Sequence, residues 1–142
     1  MLDGRLKTLH PRVFGGILAN RTKLDHMQAI AEYNIAPIDL VVVNLYDFLG
    51  NPGIETIDIG GPSLIRAAAK NCASVTVLTD PKDYDEVIAH LFATDEVPEE
   101  KRVALALKAF EYTALYDAAI SKWLRDKIRS GESIFPLNDA SH

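Results

Sequence analysis

The run Asp39-Leu40-Val41-Val42-Val43-Asn44-Leu45 constrains the fold of this chain more than any other segment. Its apolar, β-branched residues do not alternate with polar ones. The run therefore predicts a strand over 39–45 covered on both faces, as in a parallel sheet, and argues against a hairpin strand with one wet face. A second such run, Ser74 to Thr79, predicts a second strand. Between them Gly60 and Gly61 lead into Pro62, placed at the first helical position of a segment continuing SLIRAAAKN. After the second run, Asp80 and Pro81 supply an N-cap and a first-turn proline for a helix carrying Tyr84, Val87, Ile88 and Leu91 on one side. Strand, helix, strand, helix is the order of βαβ units, which form a parallel sheet with right-handed crossovers. The fold class expected is α/β, a three-layer parallel-sheet domain.

The flanking segments add to this frame. Thr22 and Asp25 form a near capping box, and Leu24, Met27, Ile30 and Ala31 follow at helical spacing, predicting a helix over 23–33. Val13 to Leu18 is a candidate third strand, preceded by Pro11 and interrupted by Gly15 and Gly16. From Pro98, with Glu99 and Glu100 in the first turn, a long helix is expected through Val103, Leu107, Phe110, Ala114 and Ala118 to Gly131. Its second stripe, Tyr112, Tyr116, Ala119 and Trp123, fits core or a subunit interface. Two clear strands fall short of the roughly 4–6 usual in such a sheet, so the domain is expected to be incomplete at its N-terminus. The domain is expected over 1–130, with 131–142 as a tail or interdomain linker.

Composition limits the function classes. With 142 residues, 48% of them hydrophobic and 25% charged, the chain suits one globular domain. A net charge of -5 argues against a nucleic-acid groove, so any anion is held by local groups. The single Cys72 fits a reducing compartment, and neither a membrane-length apolar run nor a signal peptide is seen. A cytoplasmic location without membrane attachment is the expectation.

The polar residues gather in three places. Arg5 and Lys7 are two apart, so in an extended segment they share a side, with His10 close behind. Arg66 and Lys70 stand at i and i+4 on an alanine-rich helix; their repulsion is relieved either by an anionic partner or by reaching into solvent. Asp58-Ile59-Gly60-Gly61 precedes that helix, where free backbone N–H groups either face an anion or only make a turn. Asn44 and Tyr46 leave the C-terminal end of the first strand, the edge at which open parallel sheets bind ligands.

Four blocks in order, Arg5-Leu6-Lys7-Thr8-Leu9-His10-Pro11, Val41-Val42-Val43-Asn44-Leu45-Tyr46, Ile57-Asp58-Ile59-Gly60-Gly61-Pro62 and Arg66-Ala67-Ala68-Ala69-Lys70-Asn71, resemble the inosine monophosphate (IMP) cyclohydrolase domain of the bifunctional purine-biosynthesis enzymes. That domain is similar in fold to methylglyoxal synthase. The resemblance implies closure of the purine ring of 5-formamidoimidazole-4-carboxamide ribonucleotide, with no metal and no cofactor. It implies catalytic roles for Lys70, Asp58, Tyr46 and Lys7, and substrate-binding roles for Arg5, Thr8, Asn44, Gly60, Gly61 and Arg66. It further implies a homodimer, a purine ribonucleotide as small-molecule partner, and fusion to a transformylase domain. The chain departs from the family pattern at Phe14, Asp47 and Cys72, where histidine, proline and histidine are usual, and its loop from Leu49 to Thr56 is short. The alternative function is a non-catalytic nucleotide-binding or regulatory module of the same fold.

The family's N-terminal segment brings strands and a phosphate-binding loop of serine, threonine and glycine that do not precede Met1. The 142-residue chain is therefore expected to melt less sharply, to be less soluble and to form IMP much more slowly than a chain carrying that segment. Ultraviolet detection of IMP beside a melting curve compares the two, and equal rates with equally sharp melting would overturn the expectation.

Overall fold

The computed structural model describes residues 9–135, so Arg5, Lys7 and Thr8 lie outside the described residues. The chain forms helices α1 (Pro11–Leu18) and α2 (Leu24–Glu32), strand β1 (Leu40–Val42), helix α3 (Gly60–Lys70), strand β2 (Thr76–Leu78), and helices α4 (Tyr84–Thr94) and α5 (Glu99–Ser130). Short 3-10 turns sit at Ile54–Thr56 and Pro81–Asp83. The mixed α/β class, with a parallel sheet joined through helices, is the one the sequence implies.

β1 and β2 pair in parallel, Val41 opposite Val77, with a crossover through α3. The ladder extends beyond the named strands, because the Thr76 N–H donates to the Asp39 carbonyl at 2.8 Å and the Val43 N–H to the Leu78 carbonyl at 3.0 Å. Alternation then sorts the side chains. Val41, Val75 and Val77 face a core completed by Ile17 of α1, Ile65 and the alanines of α3, and Ala106 and Ala109 of α5. Leu78 points the other way, into a smaller cluster with Val87 of α4, Val97 and Leu105. β2 is thus covered on both faces. β1 is not: Val41 is buried while Leu40 and Val42 are exposed, because α4 lies behind β2 alone. The expectation that the 39–45 run is buried on both faces is corrected to one face.

Residues 13–18 also correct the sequence reading, since they are helical and not a strand. Pro11 occupies the first turn and the His10 side chain accepts from the Arg12 N–H, while Val13, Phe14 and Ile17 recur at helical spacing and pack on the core. The glycines serve a close approach. A β-carbon on Gly16 would lie 2.5 Å from the Ala36 carbonyl oxygen, where the chain crosses α1.

α5 is one continuous helix of 32 residues. The stripe expected to lead it, Val103, Leu107, Phe110, Ala114 and Ala118, faces outward; Leu105, Ala106, Ala109, Thr113 and Tyr116 are the buried residues. The N-terminal part of α5 is fixed by Arg102. Its Nε and a terminal nitrogen donate to the carbonyls of Cys72 and Ala73, each at 2.9 Å, and its other terminal nitrogen donates to the Val97 carbonyl. One planar fork thus ties α5 to the turn that delivers β2, a geometry that lysine does not reproduce.

Replacing Arg102 by Met keeps the aliphatic stem but leaves these carbonyls without their donor. The Arg102→Met chain should lose about 2–3 kcal/mol of unfolding free energy in urea titration. A change within about 0.5 kcal/mol would mean that the fork is an ornament of the surface.

Candidate functional site

The C-terminal ends of β1 and β2 meet through Asn44. Its Nδ2 donates to the Thr79 carbonyl at 2.9 Å, and its Oδ1 accepts from the Tyr84 hydroxyl at 3.3 Å. Below it, Asp80 caps the Pro81–Asp83 turn through the Lys82 N–H, and Lys108 of α5 places its ammonium 2.8 Å from Asp80 and 2.7 Å from Asp83. Bonding and attraction from Lys108, together with the bond from the Lys82 backbone, hold the Asp80 carboxyl below its usual range. The Asp80 and Asp83 carboxylates raise Lys108 in turn. This ion cluster ties α5 to the turn that follows β2.

Asp58 stands where α3 begins. It is buried, and its Oδ1 accepts the Gly61 N–H at 2.9 Å, which satisfies one of the free donors at the start of the helix. Gly61 is required by contact, since a β-carbon there would lie 2.6 Å from Asp58 Oδ2 and 2.7 Å from Leu45 Cδ2. That contact brings the end of β1, and Tyr46 with it, beside the start of α3. Tyr46 is half exposed and lines a cavity of about 390 Å³ with Phe48, Leu49, Tyr112 and Tyr116. Asn44, Tyr46, Asp58, Gly60 and Gly61 therefore occupy one edge of the domain.

Lys70 does not join them. It is exposed in the last turn of α3, whose 11 residues set its ends about 15 Å apart, and Asp58 lies two residues before the other end. Arg66, between the two ends, lies over the Phe110 ring at 5.5 Å from the centroid. Arg66 is exposed, so its stacking on α5 accompanies both readings weighed for it, an anion or plain solvent, and displaces neither.

α5 brings two groups that the sequence reading had placed only in core or interface. The Leu45 N–H donates to the Tyr112 hydroxyl oxygen at 3.3 Å. The Asp58 N–H donates to the Tyr116 hydroxyl oxygen at 2.9 Å, and that hydroxyl donates to the Thr56 carbonyl at 3.3 Å. Burial pushes the Tyr116 phenol above its usual value. The readable signal was that a buried tyrosine needs a partner for its hydroxyl; which partner was not readable. Phe48, buried, stands edge-on to Tyr116 and Trp123 with ring centroids 6.1 and 5.7 Å apart. The family departures have local uses: Asp47 accepts the Gly50 N–H in a turn, while Phe14 and Cys72 pack against the core.

Among the described residues no helix is long and apolar enough to cross a membrane, and no cluster of three or more His, Cys, Asp or Glu residues is placed to hold a metal ion. A family profile described as AICARFT/IMPCHase bienzyme matches residues 68–140. The bifunctional purine biosynthesis protein PurH of Leuconostoc mesenteroides is 52% identical over 97% of this chain, and that of Listeria monocytogenes is 53% identical over 87%. The chain spans only 28% and 26% of the length of these two relatives. A solved structure described as the crystal structure of ForH superposes with a TM-score of 0.75 at 41% identity, over 85% of this chain and 67% of that one.

The ion cluster at Asp80 has a defined pH signature. A depressed carboxyl contributes stability that is present above its usual value of 3.8 and is lost as pH falls below it. The raised lysine contributes stability that is present below 10.5 and is lost as pH rises past it. Lys108→Met should therefore lower the melting temperature between these limits and converge with the parent chain in acid. A melting difference unchanged from pH 7 to pH 3 would show that Lys108 acts by packing alone.

Proposed function

This chain belongs to the AICARFT/IMPCHase bienzyme family, and we propose that it carries the cyclohydrolase half of that chemistry, closing 5-formamidoimidazole-4-carboxamide ribonucleotide to IMP. The observation that carries the reading is that Leu45, next to Tyr46, and the buried Asp58 both lie against Gly61 at the end of β1. The cyclohydrolase domain is assigned to 1–130, and the fused transformylase to the longer relatives' remaining length. The setting is cytoplasmic purine synthesis.

In the reaction the carboxamide nitrogen adds to the formyl carbon, the carboxamide and formamide nitrogens each give up one proton, and the formyl oxygen leaves with both as water. An amide is a poor nucleophile, so the step needs a near-attack pose, a proton acceptor and a partner for the charge that develops on oxygen. Asp58 is held in one orientation by the Gly61 N–H and is suited to moving the nitrogen's proton; Tyr46 is suited to the oxygen. Lys7, Arg5 and Thr8, outside the described residues, are assigned to orienting the nucleotide, with Asn44 and the Gly60-Gly61 backbone shaping its seat. Arg66 is assigned to binding through its exposed side on α3.

Lys70 is assigned to the formyl oxygen, and this assignment carries a structural demand. A lysine side chain leans toward the N-terminus of its helix, yet does not span the roughly 15 Å that α3 sets between its ends. Asp58 and Lys70 therefore serve one formyl group when two chains share a site, the α3 C-terminus of one lying against the α3 N-terminus of the other. A homodimer is part of the proposal.

Lys70→Ala should slow ring closure by ~10²-fold or more with a smaller effect on nucleotide affinity, as when a transition-state charge partner is lost. Asp58→Asn should be comparably slow. Mixing the two variants and letting subunits exchange should recover part of the ultraviolet signal of IMP formation. Full activity of Lys70→Ala would make it a solvated helix lysine, and two slow variants with no recovery on mixing would reject the shared site.

A further inference from the structure

We propose that Tyr116, with Tyr112 one turn before it, is a positioning residue for the cyclisation, its hydroxyl holding the Asp58 backbone while Tyr112 holds the N–H of Leu45, the residue before Tyr46. The proposal rests on the reading of Asp58 and Tyr46 as catalytic.

The two phenols project from the same face of α5, since residues four apart are neighbours on a helix. Neither is a plain core residue. Each spends its hydroxyl on a main-chain N–H beside a proposed catalytic side chain, at 3.3 Å for Leu45 and 2.9 Å for Asp58. Tyr116 makes a second bond, to the Thr56 carbonyl, and so spans the segment 56–58 that ends in the helix cap. Asp58 is thereby gripped twice. Its amide is fixed from α5 and its carboxylate from the Gly61 N–H, which leaves the residue little freedom to turn about its backbone. The Tyr116 ring is itself wedged by Phe48, which Trp123 backs from the next part of α5. Burial raises the phenol's pKa, so the hydroxyl keeps the proton it gives to Thr56. The arrangement transmits the rigidity of a long helix to the main chain at Leu45 and Asp58.

Tyr116→Phe removes one oxygen and keeps the ring packed on Phe48. In the full-length protein it should lower kcat for IMP formation by about 10- to 100-fold while KM moves less than about 3-fold, because an error of position near 1 Å is costly to the chemical step and not to binding. A fall in melting temperature is expected as well and does not discriminate. The deciding arm is a double-mutant cycle. If Tyr116 acts through Asp58, the double variant Tyr116→Phe/Asp58→Asn is no slower than Asp58→Asn alone, whereas losses that multiply assign Tyr116 to stability only. Full activity of Asp58→Asn would instead overturn the catalytic reading and this proposal with it. Should Tyr116→Phe fail to fold, the same cycle between Tyr112→Phe and Tyr46→Phe decides, with a multiplied loss or a change confined to KM counting against positioning.

Discussion

The seam between α3 and α5 is the contact on which the rest of the structure depends. Ala67, Ala68 and Ala69 share a buried cluster with Ala106 and Ala109 there, and no two of the described elements pack more extensively. Helix axes approach one another only as closely as their contact side chains permit, and alanine permits the near end of the range, around 8 Å. From α5 the Tyr112 and Tyr116 hydroxyls reach the main chain at Leu45 and Asp58.

α3 also shows that a residue's structural use and its proposed chemical use need not compete. Asp58 at the N-terminus and Lys70 at the C-terminus each meet the dipole end that favours their charge. A solvated helix could want both for stability alone. What separates Asp58 from a plain cap is its company, buried at the edge where Tyr46 opens onto a cavity. Among the described residues Lys70 has no such company, which is why the proposal for it requires a second copy.

The sequence made the order of elements legible because β-branched runs and capped amphipathic runs are local signals. Its errors had local causes too. Pro11, Gly15 and Gly16 resemble loop punctuation, yet proline suits a first turn and Gly16 a crossing, so the segment closed into α1. On α5 two apolar stripes had equal periodicity; only the position of β2 and α3 decides which turns inward, and Val103, Leu107 and Phe110 turned out. At the candidate site, Asp58 and the glycines were legible because cap and turn chemistry acts over a few residues. The phenols' partners lie 67 and 58 residues away in sequence, and Phe110 met Arg66 across the same seam, so periodicity carried no trace of them.

α5 sets a phase as well as a distance. Ala109 in the seam and Tyr112 and Tyr116 at the loops share one unbroken helix, which turns about 100° for every residue. Adding or deleting a single residue between Ala109 and Tyr116 would leave the seam engaged and swing the phenols a quarter-turn or more off their targets. Length variation should thus be silent in the self-bonded loop after Asp47 and forbidden across this stretch, making α5 a ruler that natural insertions have to respect.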